Sequence, residues 1–318
     1  MAFWDAYWKS LKPLEVEEPI DVWVHRPLAY LLARAAYPTP ISPNLITFAS
    51  IALGIAASVC MLQTFPHHLP VAGAALFLSA VFDCADGQLA RLRGTSSAFG
   101  RMLDGVADLI VSTATVAGGT YLVWLEFREP WWHGALALVA CFVTIATGSN
   151  HTSTYDHYKN LFLRLTHPSF REGEDYQTAL ERYRTRRGQG SLVERFSWPI
   201  YLFYIKRQID YLRSFDPYTK TVLSQLPAYD PERALIYRQY AEPLMRQWRR
   251  WFGFGSLVFG MSLSIGFGVV EYYLLFRLLV LNAFYFGYMR PRQRAASKAA
   301  FESLGLPSRE APSATARG

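Results

Sequence analysis

The chain has 318 residues, 51% of them hydrophobic and 15% aromatic, with a formal net charge of +7, and its mean hydropathy is only +0.08. Those values exclude both a wholly water-soluble domain and a chain made of membrane spans alone, and they predict bilayer segments sharing the chain with a sizeable wet part. The three cysteines, Cys60, Cys84 and Cys141, fall in apolar runs, which excludes a secreted disulfide framework.

The N-terminal stretch "MAFWDAYWKSLKPLEVEEP" is acidic and aromatic and lacks a cationic flank before an apolar centre, so no cleavable signal peptide is expected. In "DVWVHRPLAYLLARAAY", Val22, Leu28, Leu31, Leu32 and Ala35 fall toward one side and His25, Arg26 and Arg34 toward another. That pattern predicts a helix lying on the membrane surface. A hydrocarbon core of roughly 30 Å needs about 20 apolar residues per crossing. Six runs qualify, near 45–62, 69–90, 98–126, 132–149, 251–270 and 273–289.

Lys9, Lys12, Arg26 and Arg34 precede the first run, Arg91, Arg93 and Arg101 separate the second from the third, and Arg290, Arg292, Arg294 and Lys298 follow the sixth. The turn "QTFPHHLP" between the first and second runs has no Lys or Arg. Alternate loops are therefore basic, which predicts cytoplasmic termini and an even number of spans. His67 and His68 fall in an outer turn and read as loop residues.

Residues 151–250 read as a helical cytoplasmic insertion, with a capping box at Ser191 and Glu194 and a helix start at Asp230 and Pro231. No nucleic-acid-binding motif accompanies its basic charge. Past Pro291 the sequence is small and polar, and a frayed or disordered tail over 291–318 is expected. The expected organisation is an N-terminal cytoplasmic and interfacial part to 43, spans one to four over 44–150, the insertion over 151–250, spans five and six over 251–290, and the tail.

The carboxylates of the second and third runs carry the chemistry. Asp83 and Asp86 are three apart on one predicted helix, while Gly100, Asp104 and Asp108 recur at intervals of four on the next. The short connection "RLRGTSSAF" makes these helices antiparallel neighbours, so the four carboxylates converge. Four like charges at membrane depth need cations, and an all-oxygen set selects hard ions such as Mg²⁺ or Mn²⁺. Two such ions would bind a diphosphate. Gly87 and Gly100 leave room for a ligand near the backbone, and Arg91 stands one turn beyond Asp86 to meet a phosphate oxygen. A cation or proton transporter also uses intramembrane carboxylates, but predicts neither Gly87 nor the Ala90–Arg91 pair at fixed offsets.

Asp83-x₂-Asp86-Gly87-x₂-Ala90-Arg91-x₈-Gly100-x₃-Asp104-x₃-Asp108 resembles, at every defined position, the signature of the CDP-alcohol phosphotransferase family of integral membrane enzymes. "PNLIT" at Pro43 to Thr47 is similar to that family's start of the first span, where the Asn44 and Thr47 positions help hold the nucleotide. The resemblance implies an all-α integral membrane protein with six transmembrane helices around a cytoplasm-facing polar cavity, commonly a homodimer. It implies transfer of a phosphoalcohol or phosphatidyl group from a CDP-linked alcohol or lipid to an acceptor alcohol, releasing CMP. Asp83, Asp86 and Asp104 would be the principal ligands of two metal ions. Asp108 would be the general base and share a metal contact. Asn44, Thr47, Gly87, Ala90, Arg91 and Gly100 would shape the CDP pocket. The acceptor stays open among diacylglycerol, glycerol phosphate, serine, inositol and inositol phosphate. His151, Lys159 and Arg164 at the mouth of the fourth span are candidate acceptor contacts, and interfacial residues of a helix leaving the membrane fit them equally.

Overall fold

The computed structural model describes residues 3–95, 98–168, 180–181, 183–185, 192–219 and 229–306, and among them every regular element is helical. Helix α1 is Phe3–Ser10, and α2 is Arg26–Ala36, entered through a π-helical turn at Asp21–His25. Four long helices follow: α3 (Pro43–Met61), α4 (His68–Arg93), α5 (Ala98–Phe127) and α6 (Trp131–Thr166). Then come α7 (Leu192–Phe215), α8 (Pro231–Trp251), the short α9 (Phe254–Gly266) and α10 (Val270–Ser303).

Five of these, namely α3, α4, residues Met102–Phe127 of α5, α6 and α10, are long and apolar enough to cross a membrane. The fifth predicted span is shorter than expected. Glycine 253 starts α9 and the chain leaves helix after Gly266, giving 13 residues, or about 20 Å at 1.5 Å per residue. It packs closely on α4, where a methyl on Gly73 would lie 2.5 Å from the Ser262 carbonyl oxygen and 2.8 Å from the Gly266 backbone. Small residues let the two backbones approach, as at membrane helix crossings generally.

Helix starts follow local chemistry. The Ser42 hydroxyl accepts from the Leu45 N–H at 3.2 Å, so Ser42, with Pro43 behind it, caps α3. Asp230 caps α8 as its sequence predicts, accepting from the Arg233 N–H at 2.9 Å. The capping box expected at Ser191 and Glu194 lies outside the described residues and side chains. All three cysteines are free thiols.

His25 and Arg26 point into the protein: His25 is fully buried 2.8 Å from Asp21, and Arg26 pairs with Glu17 at 3.0 Å. Trp23, Leu28 and Leu31 face outward, which suits a helix whose outer medium is lipid. Two expectations need correction. The boundary expected at residue 150 falls inside the uninterrupted α6. Residues 291–303, expected to fray, complete α10 and bury Ala300 and Phe301 against Tyr237 and Trp248 of α8. Helix α7 rests on α5, with Trp198 and Leu202 packed on Met102.

Candidate active site

The site is built where the C-terminal part of α4 meets the N-terminal part of α5. Helix α4 stops at Gly94, whose positive φ of 65° lets the Gly94 and Thr95 N–H groups return to the Arg91 and Ala90 carbonyls at 3.2 and 2.9 Å. Beyond it, α5 brings Asp104 to Asp83 and Asp86 of α4.

Oxygens of Asp83, Asp86 and Asp104 lie within 4.8 Å of one another. Asp86 is buried, Asp83 half-buried and Asp104 exposed. Three hard oxygen donors, closed on one side and open on the other, form a group that can hold a divalent metal ion. Asp108 is not part of that trio. It lines, with Asp83, a cavity of about 10 Å³ that also touches Ser50, Ser79, Phe254 and Val258. The walls of that cavity are clasped by a reciprocal pair of bonds, Ser50 Oγ to the Ser79 carbonyl at 2.9 Å and Ser79 Oγ to the Ser50 carbonyl at 2.8 Å.

Thr47 is buried and its hydroxyl donates to Asp86 Oδ2, joining the first span to the metal-ligand trio. Asn44 stands half-buried one turn earlier. Gly87 serves a close approach: a methyl there would sit 3.3 Å from Arg91 Nη1, so the missing side chain is what lets the guanidinium fold back over α4. Arg91 Nε donates to the Ser10 carbonyl at 2.8 Å. Ala90 and Gly100 are half-buried near the same rim.

The acceptor candidates separate. Lys159 pairs with Asp156 and lies 5.0 Å over the Tyr155 ring. His151 is 1% exposed and wedged between the Phe252 and Tyr285 rings, at 5.0 and 4.3 Å. Arg164 is exposed on α6. Arg93, which reads in the sequence as a positive-inside residue, donates to the Ala36, Tyr37, Thr39 and Ile41 carbonyls at 2.6–3.0 Å. It therefore clamps the end of α2 beside the first span.

Sequence reasoning misses Ser10, Gln88 and Glu18. Gln88 is fully buried and donates to Ser10 Oγ at 3.2 Å, and Glu18 accepts from the Gly255 and Ser256 N–H groups at the start of α9. The Gln88 position, two residues beyond Asp86 inside the motif, is the one usable signal; nothing in the N-terminal sequence marks the other two.

Residues 40–160 match the CDP-alcohol phosphatidyltransferase family, and all four aspartates lie inside the matched stretch. Phosphatidylinositol phosphate synthase of Mycobacteroides abscessus is 32% identical over 124 residues, 39% of this chain and 51% of that protein. The proteins of the same name from Mycobacterium tuberculosis (strain ATCC 25618 / H37Rv) and Corynebacterium glutamicum are 33% identical over 115 residues and 30% over 117, covering 36% and 37% of this chain and 50% of each relative. The chain thus spans about half the length of the curated relatives it matches.

Proposed function

We propose that this protein transfers a phosphoalcohol or phosphatidyl group from a CDP-linked alcohol to the hydroxyl of an acceptor alcohol in phospholipid synthesis. The observation that carries the reading is the convergence of Asp83, Asp86 and Asp104 within 4.8 Å, with Asp108 on the adjoining cavity, all inside the family-matched stretch. The acceptor oxygen bonds to the phosphorus that bears the donor alcohol, the bond from that phosphorus to the CMP oxygen breaks, and the hydroxyl proton passes to Asp108. Asp83, Asp86 and Asp104, with Asp108 at the edge of the set, would hold two Mg²⁺ or Mn²⁺ ions. When bound, such ions neutralise the diphosphate and the leaving CMP. Thr47, by holding Asp86, and Asn44, Gly87, Ala90, Arg91 and Gly100 shape the nucleotide side. On the acceptor side we retain His151, Lys159 and Arg164.

The proposed topology has six crossings, with α9 as the short fifth, and places both termini and the site on the cytoplasmic side. Its support is the basic α4–α5 connection set against the Lys- and Arg-free turn before α4. A homodimer is part of the same proposal. The names of the relatives make inositol phosphate one member of the acceptor panel.

The test is CMP release by purified protein given a matrix of CDP-alcohols and acceptors with Mg²⁺ or Mn²⁺. Release that requires one donor and one acceptor together supports the reading. Silence across the matrix, with ion flux in proteoliposomes, would replace it with the transporter.

A further inference from the structure

Helix α7 lies outside the family-matched residues, and it runs across the membrane helices, touching α5, α6 and α10 in turn. Its first half packs on the start of the α5 crossing, with Trp198 and Leu202 on Met102 and the Tyr201 ring 3.8 Å from where a methyl on Gly105 would sit. Midway, Arg207 Nη1 reaches Ser149 Oγ of α6 at 3.5 Å. At its end the Tyr211 hydroxyl meets that of Tyr285 at 2.9 Å, and Arg290 and Arg294 of α10 donate to the Ser214 and Phe215 carbonyls at 2.5–3.1 Å. These contacts fix its depth. Met102 is the first residue of its crossing, and Ser149 stands about 27 Å along α6 from Trp131 at 1.5 Å per residue, against a hydrocarbon core of roughly 30 Å. Helix α7 therefore lies at the hydrocarbon boundary, on the side of the membrane where the aspartates are.

The face that α7 turns away from the protein is divided. Ile200 and Phe203 are 43% and 73% exposed, and one turn further on Lys206 and Arg207 are exposed too. Spacings of three and four residues put all of them on one stripe. Asp210, the next acid along that stripe, is taken by Arg213 at 3.1 Å. Neither Lys206 nor Arg207 has an ion pair among the described residues. Apolar side chains followed by unpaired cations, at this depth, complement acyl chains and anionic headgroups. We propose that α7 is a lipid-binding helix: Ile200 and Phe203 enter the acyl layer of the leaflet on the aspartate side, and Lys206 and Arg207 hold the phosphates of anionic phospholipids there.

The experiment places the photoreactive residue p-benzoylphenylalanine at position 203 of the full-length protein, in vesicles of equal parts phosphatidylcholine and phosphatidylglycerol, and identifies the adducts by mass spectrometry. The same residue at position 142, where Phe142 is exposed within the α6 crossing, is the lipid-facing control. Position 203 should capture phospholipid, with phosphatidylglycerol favoured about 5-fold if one cation is effective and about 30-fold if both are. Lys206→Gln combined with Arg207→Gln should return that ratio to about 1. Lipid capture at 142 without any at 203 overturns the proposal. A covalent dimer formed through 203 also overturns it and assigns this face to a second copy of the chain. Capture of the two lipids at 203 in their bulk ratio, or a preference that survives the double substitution, overturns the recognition of lipid charge by Lys206 and Arg207.

Discussion

Metal ions should change the stability of this protein as well as its activity, and the geometry sets the scale. Two carboxylates 4.8 Å apart or closer repel by about 3.5 kcal/mol or more at an effective dielectric constant of about 20 while both are ionised. Three such pairs within one trio make the metal-free site a source of strain that a cation relieves. At a concentration 100-fold above Kd a bound ion adds about 2.7 kcal/mol, which for a chain of this size raises Tm by about 4 °C. Thermal unfolding in detergent, first with chelator and then with Mg²⁺ or Mn²⁺ added back, reads this directly. Replacing the exposed Asp104 by Asn removes two of the three repulsions. Asp104→Asn should therefore melt above wild type in chelator and respond less to metal. A wild type with no metal-dependent shift, or an Asp104→Asn protein that is less stable in chelator and shifts as much as wild type, would refute the argument.

Two other outcomes follow from separate parts of the structure. Asp108→Asn should reduce kcat by on the order of 10²–10⁴ and leave CDP-alcohol affinity within a few-fold, because Asp108 lies beside the trio and outside it; joint loss of rate and donor affinity would make it chiefly a metal ligand. Glu18 is buried, and that burial, with the neighbouring Asp21 charge, pushes its carboxyl up to about 8 from an ordinary 4.5 against the opposing bonds from Ser256 and Gly255. Its folded form holds the proton more tightly than the unfolded chain, so stability from this group is complete below about pH 4.5 and is lost as pH rises toward 8. The melting temperature should fall over that window and Glu18→Gln should flatten the fall; parallel profiles for the two proteins would exclude Glu18 as the source.

What the sequence disclosed and what it hid divide along physical lines. The aspartate site was legible because fixed spacings of three and four residues on two helices joined by a short turn leave little freedom in where the side chains go. The long spans were legible from length and apolarity. The shortness of α9 was not, since the apolar run continues beyond Gly266 while the helix does not. Pro291 reads as a stop, yet α10 passes through it. A π-helical turn at Tyr285–Met289 immediately before it loosens the backbone spacing into which the ring must fit. The two sides of α2 were legible, but which of them turns inward was not, since Asp21 and Glu17 offer His25 and Arg26 partners within. Residues 10–18 carry no periodicity at all, and their partners lie too far along the chain for any local pattern to reveal them.

That last separation has a consequence for biogenesis. Residues 10–18 leave the ribosome first, but the helix starts and arginines that anchor them come last, with Glu18 and Ser256 separated by 238 positions. At roughly 5–20 residues per second, this segment waits roughly 10–50 s for the far half of its binding groove to be made. Once Asp108 has been made, the whole aspartate motif waits for Arg238 and Arg249, which bind Glu15, Leu14 and Glu17. A chain ending before residue 249 thus owns all four aspartates and lacks the arginine that fastens Leu14 and Glu17.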